Sequence, residues 1–210
     1  MKTINYGRFG ILFVGGVLAV ILLLTLRQGN PQDEGYGQVL INERIEKDKF
    51  MRDNSQSPFK IHGMAYSGLT YYEPDINYRV LAQLEPIREK KVRVLPTSDG
   101  KENRYLEYAW AEFILKEKKL NLLILESMEM GPQRGMLFCA FADSTSGRET
   151  YGAGRYLEVK KIKGATTLEL DFNKAYNPYC AYVDSYSCPF PPRENILPLA
   201  IKAGERNYAP

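Results

Sequence analysis

The chain has 210 residues, of which 25% are charged and 44% are hydrophobic, and its formal net charge is +3. Three of the 28 basic residues, Lys2, Arg8 and Arg27, belong to the N-terminal segment, and the remainder equal the 25 acidic residues in number. The chain beyond Arg27 is therefore formally neutral, so nothing in its charge supports a nucleic-acid partner and none is predicted. The single histidine, His62, rules out metal motifs built on two histidines.

An uncharged segment, FGILFVGGVLAVILLLTL, occupies residues 9–26. As a helix it would be about 27 Å long, close to the roughly 30 Å of a bilayer's hydrocarbon core. A cleavable signal peptide has a shorter apolar core and small residues at its cleavage site, whereas residues 24–28 are bulky or charged. We therefore expect an uncleaved transmembrane anchor over 9–26 after a short cytoplasmic tail, 1–8. A buried core helix is the alternative.

The flanking charges predict the orientation of this anchor. Lys2, Arg8 and the terminal amine precede it, whereas only Arg27 follows closely. Positive residues favour the cytoplasmic side of a span, so the N-terminus is predicted to be cytoplasmic. The protein is thus expected in the cell membrane as a single-pass protein with an extracytoplasmic C-terminal domain, and the membrane is its first predicted partner.

The rest of the chain divides into three predicted parts. Residues 27–37 are polar and contain glycine, as in a linker. Residues 38–56 lack glycine and proline and carry pairs of opposite charge at i,i+4 spacing, which predicts a helix that either packs on the domain or acts as a stalk. Residues 57–210 are long enough for a single domain with its own core.

Within this domain, alternating apolar and polar residues between turn-forming residues predict short strands. The two segments 105–115 and 120–126 flank a charged turn and are predicted to form a hairpin. Further strands are expected at 69–72, 78–84, 92–95, 136–142, 155–159, 167–172 and 197–201. No helical pattern separates them, so the predicted fold is mainly β, either an antiparallel sandwich or a small split barrel, with an N-terminal helix.

Three unusual strings follow one another in the last third of the chain: DSTSGRETYGAGRYL at 143–157, DFNKAYNPYCAY at 171–182 and CPFPPREN at 188–195. They place polar and charged side chains between turn formers, which is typical of loops that present functional groups. We expect them to meet on one side of the sheet. The candidate ligand-binding residues are Asp143, Glu149, Tyr151, Arg155, Asp171, Asn173, Tyr176 and Asn177.

The sequence around Arg155 allows two interpretations. An arginine at the start of a strand can form ion pairs with acidic neighbours that hold the fold together, or it can bind a ligand's carboxylate or phosphate. Asp143, Glu149 and Asp171 are its candidate acidic neighbours. The same three acids can form an acid/base pair or a hard-cation site if the fold brings them together.

The cysteines differ in their settings. Cys139 lies in an apolar strand and is expected to be a buried hydrophobic residue. Cys180 and Cys188 lie in a loop that would face an oxidising compartment, and we predict a disulfide between them. In the chain-entropy model a loop of this length stabilises the fold by roughly 2.5 kcal/mol.

The three strings resemble the hallmark of the bacterial family catalogued as domain of unknown function 1684. The resemblance rests on TSG, ETYGAGRYL, LDFNKAYNPYCAY and CPFPPREN, at 145–147, 149–157, 170–182 and 188–195. One departure is Tyr179, where the family usually has a second proline before the cysteine. The resemblance implies a shared fold and a shared cluster of these loops, but no assigned activity.

No string matches a reaction signature, so whether the protein is an enzyme stays open. The favoured hypothesis is a membrane-anchored envelope domain that binds a small-molecule or envelope ligand, or acts as an accessory module. One alternative is an extracytoplasmic hydrolase in which Asp171, Glu149 or Cys180 reacts and Arg155 stabilises negative charge. The other is that the strings serve only folding. No cofactor or metal is predicted, and no particular protein partner is indicated.

Overall fold

The structure, a computed structural model, describes residues 31–209, with side-chain surroundings from residue 35 onward. The predicted cytoplasmic tail, 1–8, and transmembrane anchor, 9–26, lie outside the described residues. Between residues 31 and 209, no helix has both the length and the apolar character required to cross a bilayer.

The N-terminal helix, α1, spans Pro31–Asp53 and therefore begins seven residues before the predicted start at residue 38. Proline is well tolerated in a first helical turn because its missing N–H has no partner there. Its buried apolar anchors are Leu40 and Met51, each 1% exposed, while Ile41 and Ile45 face solvent. Because few apolar side chains of α1 are buried, polar contacts contribute much of the energy that holds α1 on the domain.

A second, short helix, α2, spans Pro58–Ile61. The Ser57 hydroxyl caps it by accepting a hydrogen bond from the Phe59 amide at 3.2 Å. The same hydroxyl donates to the carbonyl of Met51. Phe59 is 1% exposed and packs with Met51 and Tyr182, so α2 fastens the end of α1 to the second motif string.

Between residues 31 and 209, seven strands form one antiparallel sheet with the order β6-β5-β4-β3-β1-β7, and β2 pairs with β3. Their bounds are β1 Arg79–Pro86, β2 Val92–Pro96, β3 Glu102–Leu115, β4 Lys118–Ser127, β5 Leu137–Phe141, β6 Arg155–Leu157 and β7 Thr167–Asp171. The prediction of a mainly β, antiparallel fold with an N-terminal helix is confirmed. The strands make a half-barrel that stays open between β6 and β7, rather than two facing sheets.

Two predicted strands are wrong. Residues 69–72 contribute a single bridge, between Tyr71 and Glu205, and residues 197–201 form no strand. Ile201 is nevertheless fully buried. Side chains replace its strand partner, because its carbonyl accepts from Arg155 at 2.9 Å and its amide donates to Asp143 at 3.2 Å. The apolar pattern of 197–201 therefore reflects burial without strand pairing.

The β3–β4 hairpin, predicted from sequence, forms the centre of the sheet. Ala111 lies opposite Leu122 and contributes to the main core, which also contains Phe141 and Phe172. Leu123 faces the other side of the sheet and packs with Tyr105 and Leu125. Apolar packing on both faces explains why β4 carries a continuous apolar run instead of an alternating one.

Candidate functional site

Arg155, the central residue of the first motif string, is fully buried. One terminal nitrogen donates to Asp143 and to the Ile201 carbonyl, both at 2.9 Å. The other donates to the carbonyls of Ala203 and Glu205. Burial lowers the pKa of Arg155, and the Asp143 carboxylate opposes that shift. Both terminal nitrogens thus bind the protein itself, which favours the structural ion pair over a ligand clamp.

Asp143 binds its own turn as well as Arg155. Its Oδ1 accepts from the amide of Thr145 at 2.7 Å and from the hydroxyl of Thr145 at 2.6 Å. The Thr145 hydroxyl lies 2.8 Å from that of Thr150, and both threonines are buried. The first motif string therefore folds on itself around buried hydrogen bonds.

Asn173, in the second motif string, joins three distant segments and is 1% exposed. Its side-chain oxygen accepts from the Asp75 amide at 2.9 Å, and its nitrogen donates to the Asp75 carbonyl at 2.8 Å. That nitrogen also donates to the hydroxyl of Tyr36 on α1, which in turn donates to Asp171 at 2.7 Å. Burial, followed by the hydrogen bond to Asp171, raises the pKa of Tyr36. Asp171 and Asn173 thus hold the start of α1.

Glu205 is a buried acid that the sequence did not single out as a site residue. It is 1% exposed and accepts from Lys47 of α1 at 2.5 Å, from the Tyr182 hydroxyl at 2.5 Å and from the Asn177 amide at 2.8 Å. Glu205 joins α1, the second motif string and the C-terminal segment.

Asn195, in the third string, was also missed. It is fully buried and lies where the pairing between β4 and β5 has ended, so that its side chain bonds backbone groups of both strands. Its oxygen accepts from the Leu123 amide at 2.7 Å, and its nitrogen donates to the carbonyls of Leu123 at 3.0 Å and Ala140 at 2.8 Å. Only an amide side chain offers a donor and an acceptor in this arrangement.

The three candidate acids have different partners. Asp143 pairs with Arg155, whereas Glu149 accepts from Lys202 and Tyr72, each at 3.1 Å. The Lys202 hydrogen bond is the main cause of the lowered pKa of Glu149. Asp171 accepts from Tyr36. These contacts assemble no acid/base pair, and between residues 31 and 209 no group of three His, Cys, Asp or Glu side chains is placed to hold a metal ion.

All three cysteines are unbonded in the structure, so the predicted disulfide stays a prediction. The amide of Cys180 donates to the sulfur of Cys188 at 3.3 Å, and the Tyr151 hydroxyl lies 3.6 Å from the Cys180 sulfur. The hydrogen bond from Cys188 lowers the pKa of Cys180 to about 6. Burial raises the pKa of Cys139 to about 12, as for an inert core thiol.

A groove of about 1180 Å³ runs beside the open gap of the half-barrel, and we call it the long groove. One part of its lining is aromatic and comprises Tyr105, Phe138, Tyr156, Tyr176, Tyr179 and Tyr186. Another part comes from β7 and includes Thr167, Glu169 and Asp171. Of the eight predicted ligand-binding residues, only Asp171 and Tyr176 line it. The aromatic residues of β5 and β6, Phe138 and Tyr156, lie in segments predicted only as strands, and no motif marked them as a lining.

The charges along the long groove are mixed. Acidic side chains come from Glu43, Glu158, Glu169 and Asp171, and basic ones from Lys47, Lys160 and Lys174. Lys174 and Glu43 neutralise each other in an ion pair of 2.7 Å. The groove thus lacks the single sign of charge that would select a strongly ionic ligand.

A second cavity, of about 100 Å³, lies beneath α1 and is lined by Arg44, Lys47, Asn173, Tyr176 and Glu205, among others. Pockets for small molecules are typically about 300–1,000 Å³. This cavity is well below that range. The long groove is therefore the candidate binding site, and the motif hydrogen bonds shape the protein around it.

Comparison with known proteins shows the family of the chain. The sequence pattern of the family described as "Protein of unknown function (DUF1684)" matches residues 64–206. The chain belongs to the DUF1684 family. The matched region contains Arg155, Asn173, Asn195 and Glu205, so the family pattern spans all four hydrogen-bonded centres. It begins after α1.

This DUF1684 chain also resembles a protein whose structure has been solved. The chain is similar to an uncharacterized protein of Haloarcula marismortui whose structure was determined by solution NMR, with 36% sequence identity and a TM-score of 0.61. The similarity covers 82% of this chain and 95% of the other. No curated protein matches the sequence. These findings establish family and fold, and they assign no activity.

Proposed function

We propose that this DUF1684 protein is a membrane-anchored envelope module that binds an extended ligand in the long groove. The observation that supports this function is the size of the groove. Its volume of about 1180 Å³ exceeds the about 300–1,000 Å³ typical of small-molecule pockets. An elongated ligand is therefore a better match than a compact one.

The groove lining narrows the chemistry of that ligand. Aromatic rings such as Tyr179 and Tyr186, which lie 5.2 Å apart edge to face, offer large apolar contact areas together with polar hydroxyls. The mixed charges of the groove favour a ligand without strong net charge. Arg155 takes no part in this proposal because its side chain is fully buried.

The proposal includes the anchor predicted at 9–26. Four residues, 27–30, separate its end from Pro31, where α1 begins. Glu43 and Lys47 on α1 line the long groove, so an anchored chain would hold the groove near the outer face of the membrane. Resistance of the full-length chain to alkaline carbonate extraction, and digestion of its domain by protease added outside the cells, are the expected results. Release by carbonate would contradict the anchor.

Ligand binding is tested by thermal unfolding of the full-length, detergent-solubilised chain with panels of short peptides and oligosaccharides. A bound ligand raises the free energy of unfolding, by about 2.7 kcal/mol when its concentration is a hundred times its Kd, and the melting temperature rises as a result. The Tyr186→Ala variant should lose the shift. Tyr108→Ala is the matched control, because Tyr108 is also half-buried but does not line the groove. A panel without any shift, or a shift retained by Tyr186→Ala, would overturn the proposal.

A further inference from the structure

Strand β7 forms one edge of the sheet, and its register shows which backbone groups face outward. The amide of Leu84 donates to the carbonyl of Thr166 at 2.8 Å, directly across from it in the β1–β7 ladder. In an antiparallel pair, hydrogen-bonded positions alternate along the strand. Residues 166, 168 and 170 therefore direct their N–H and C=O groups toward β1. Residues 167, 169 and 171 direct theirs away from it.

This outward side of β7 is open. Thr167, Glu169 and Asp171 all line the long groove. Across residues 31–209, no hydrogen bond reaches the main-chain N–H or C=O groups of Thr167 and Glu169. Within residues 31–209, the N–H and C=O groups of Thr167 and Glu169 thus point away from β1 beside the groove without protein partners. The N–H of Asp171 points the same way, whereas its carbonyl opens a short 3-10 turn over Phe172–Lys174.

The opposite edge of the gap is partly occupied. Tyr156 of β6 exchanges two backbone hydrogen bonds with Tyr176, at 2.9 and 3.0 Å. Their rings pack edge to face at 5.9 Å and belong to the aromatic lining. The groove therefore offers a backbone edge on the β7 side and side-chain contacts on the β6 side.

We infer that the ligand of the long groove is an extended polypeptide segment that adds as a strand to the free edge of β7. This inference rests on the proposed function and names its ligand class. A peptide backbone alternates donors and acceptors with the spacing that β7 presents, and its side chains would reach the aromatic lining. An oligosaccharide lacks that backbone repeat.

A second copy of the sheet is a poorer partner for this edge. The strand is five residues long, and the Glu169 side chain, which pairs with Arg79 at 2.7 Å, places charges beside it. Short, charged edges disfavour pairing between whole sheets. A single flexible segment from another protein can enter the groove and use the edge.

The test begins with peptides selected from a displayed library of random short sequences against the full-length chain. Glu169→Pro removes an outward N–H without removing a β1–β7 hydrogen bond, and proline is tolerated in edge strands. The matched control is Glu169→Gln, which also loses the ion pair with Arg79 but keeps the N–H. Selected peptides should bind Glu169→Pro about tenfold more weakly, from one lost hydrogen bond plus the clash of the ring, and Glu169→Gln nearly as well as the parent.

Amide hydrogen exchange gives an independent readout. Bound peptide should slow exchange at residues 167, 169 and 171, whereas 168 and 170 are already protected by β1. If Tyr186→Ala weakens binding while Glu169→Pro and the exchange rates do not respond, the groove binds ligands but strand addition is wrong. If no selected peptide depends on the Glu169 N–H, the inference is overturned. If no ligand of any class binds, the proposed function fails with it.

Discussion

The guanidinium of Arg155 and the carboxylate of Asp143 form an ion pair of 2.9 Å in which both side chains are completely buried. Removing one partner of such a pair leaves an uncompensated buried charge, which costs about 3–5 kcal/mol. We therefore expect Arg155→Ala to lower the free energy of unfolding by about that amount. Urea unfolding of the full-length chain in detergent measures it.

The control for this prediction is a double-mutant cycle with Asp143→Ala. Each single change leaves the other charge buried without its partner. The loss of unfolding free energy in the double variant should therefore be smaller than the sum of the losses in the two single variants. Equal stability of Arg155→Ala and the parent would contradict a structural role. It would return Arg155 to the candidates for ligand binding.

Glu205 is predicted to stabilise the docking of α1. Glu205→Gln removes the charge that Lys47 pairs with, and places an amide among the donors from Tyr182 and Asn177. An unsatisfied buried donor costs about 1–3 kcal/mol. We expect a loss of that size, together with faster amide exchange in α1, as measured by hydrogen exchange and mass spectrometry.

Glu43→Gln is the matched control for this variant. Glu43 also links α1 to the domain through a lysine, Lys174, but both of these side chains are largely exposed, at 49% and 43%. Exposed pairs contribute about 0–1 kcal/mol. If Glu43→Gln and Glu205→Gln were equally destabilising, burial of the Glu205 contacts would not be the cause.

Gly154 is predicted to tolerate no side chain. Its φ is +89°, and a Cβ there would lie 2.6 Å from both the Phe141 carbonyl oxygen and the Pro191 side chain. Gly164 has a similar φ of +78° but nothing within 4 Å of the same position. Gly164→Ala should therefore cost only the backbone strain, about 1–3 kcal/mol, and Gly154→Ala clearly more. Equal melting temperatures for the two variants would contradict the close packing at Gly154.

The predicted disulfide has a characteristic mutational pattern. If Cys180 and Cys188 are bonded in the protein purified without reductant, each single serine variant should lose roughly 2.5 kcal/mol. The double variant should lose no more than a single one, because one bond is removed in every case. Intact-mass measurement after alkylation counts the free thiols directly. Two alkylated thiols at these positions in unreduced protein would contradict the disulfide.

In the reduced protein, Cys180 is expected to react as a thiolate at neutral pH. The hydrogen bond from Cys188 lowers its pKa to about 6, against about 8.5 for an ordinary cysteine. Since the thiolate is the nucleophile, the alkylation rate at Cys180 should rise through pH 6 and level off near pH 7. Cys139, with its raised pKa, should stay unreactive over this range. A midpoint near pH 8.5 at Cys180 would show that the thiol pair does not form.

Local pattern was sufficient to predict most of the strands. The alternation in Tyr105–Leu115 and the apolar run that follows the turn predicted the β3–β4 hairpin, because burial of one or both faces imposes a period on neighbouring residues. The same signal was misleading at 197–201. There, Arg155 and Asp143 satisfy the backbone of Ile201, and a buried irregular segment looks like a strand in sequence.

By itself, the sequence determined the class of fold, the family and the three strings that shape the loops, since these depend on residues close together in the chain. Only the tertiary structure decided which residues form a site. Lys47 and Glu205 are 158 positions apart, and Asn195 is 72 positions from Leu123. The lining of the long groove likewise combines residues of α1 with residues of β7, which are far apart in the sequence. Such contacts follow from how the strands close around the core, which no local pattern of side chains specifies.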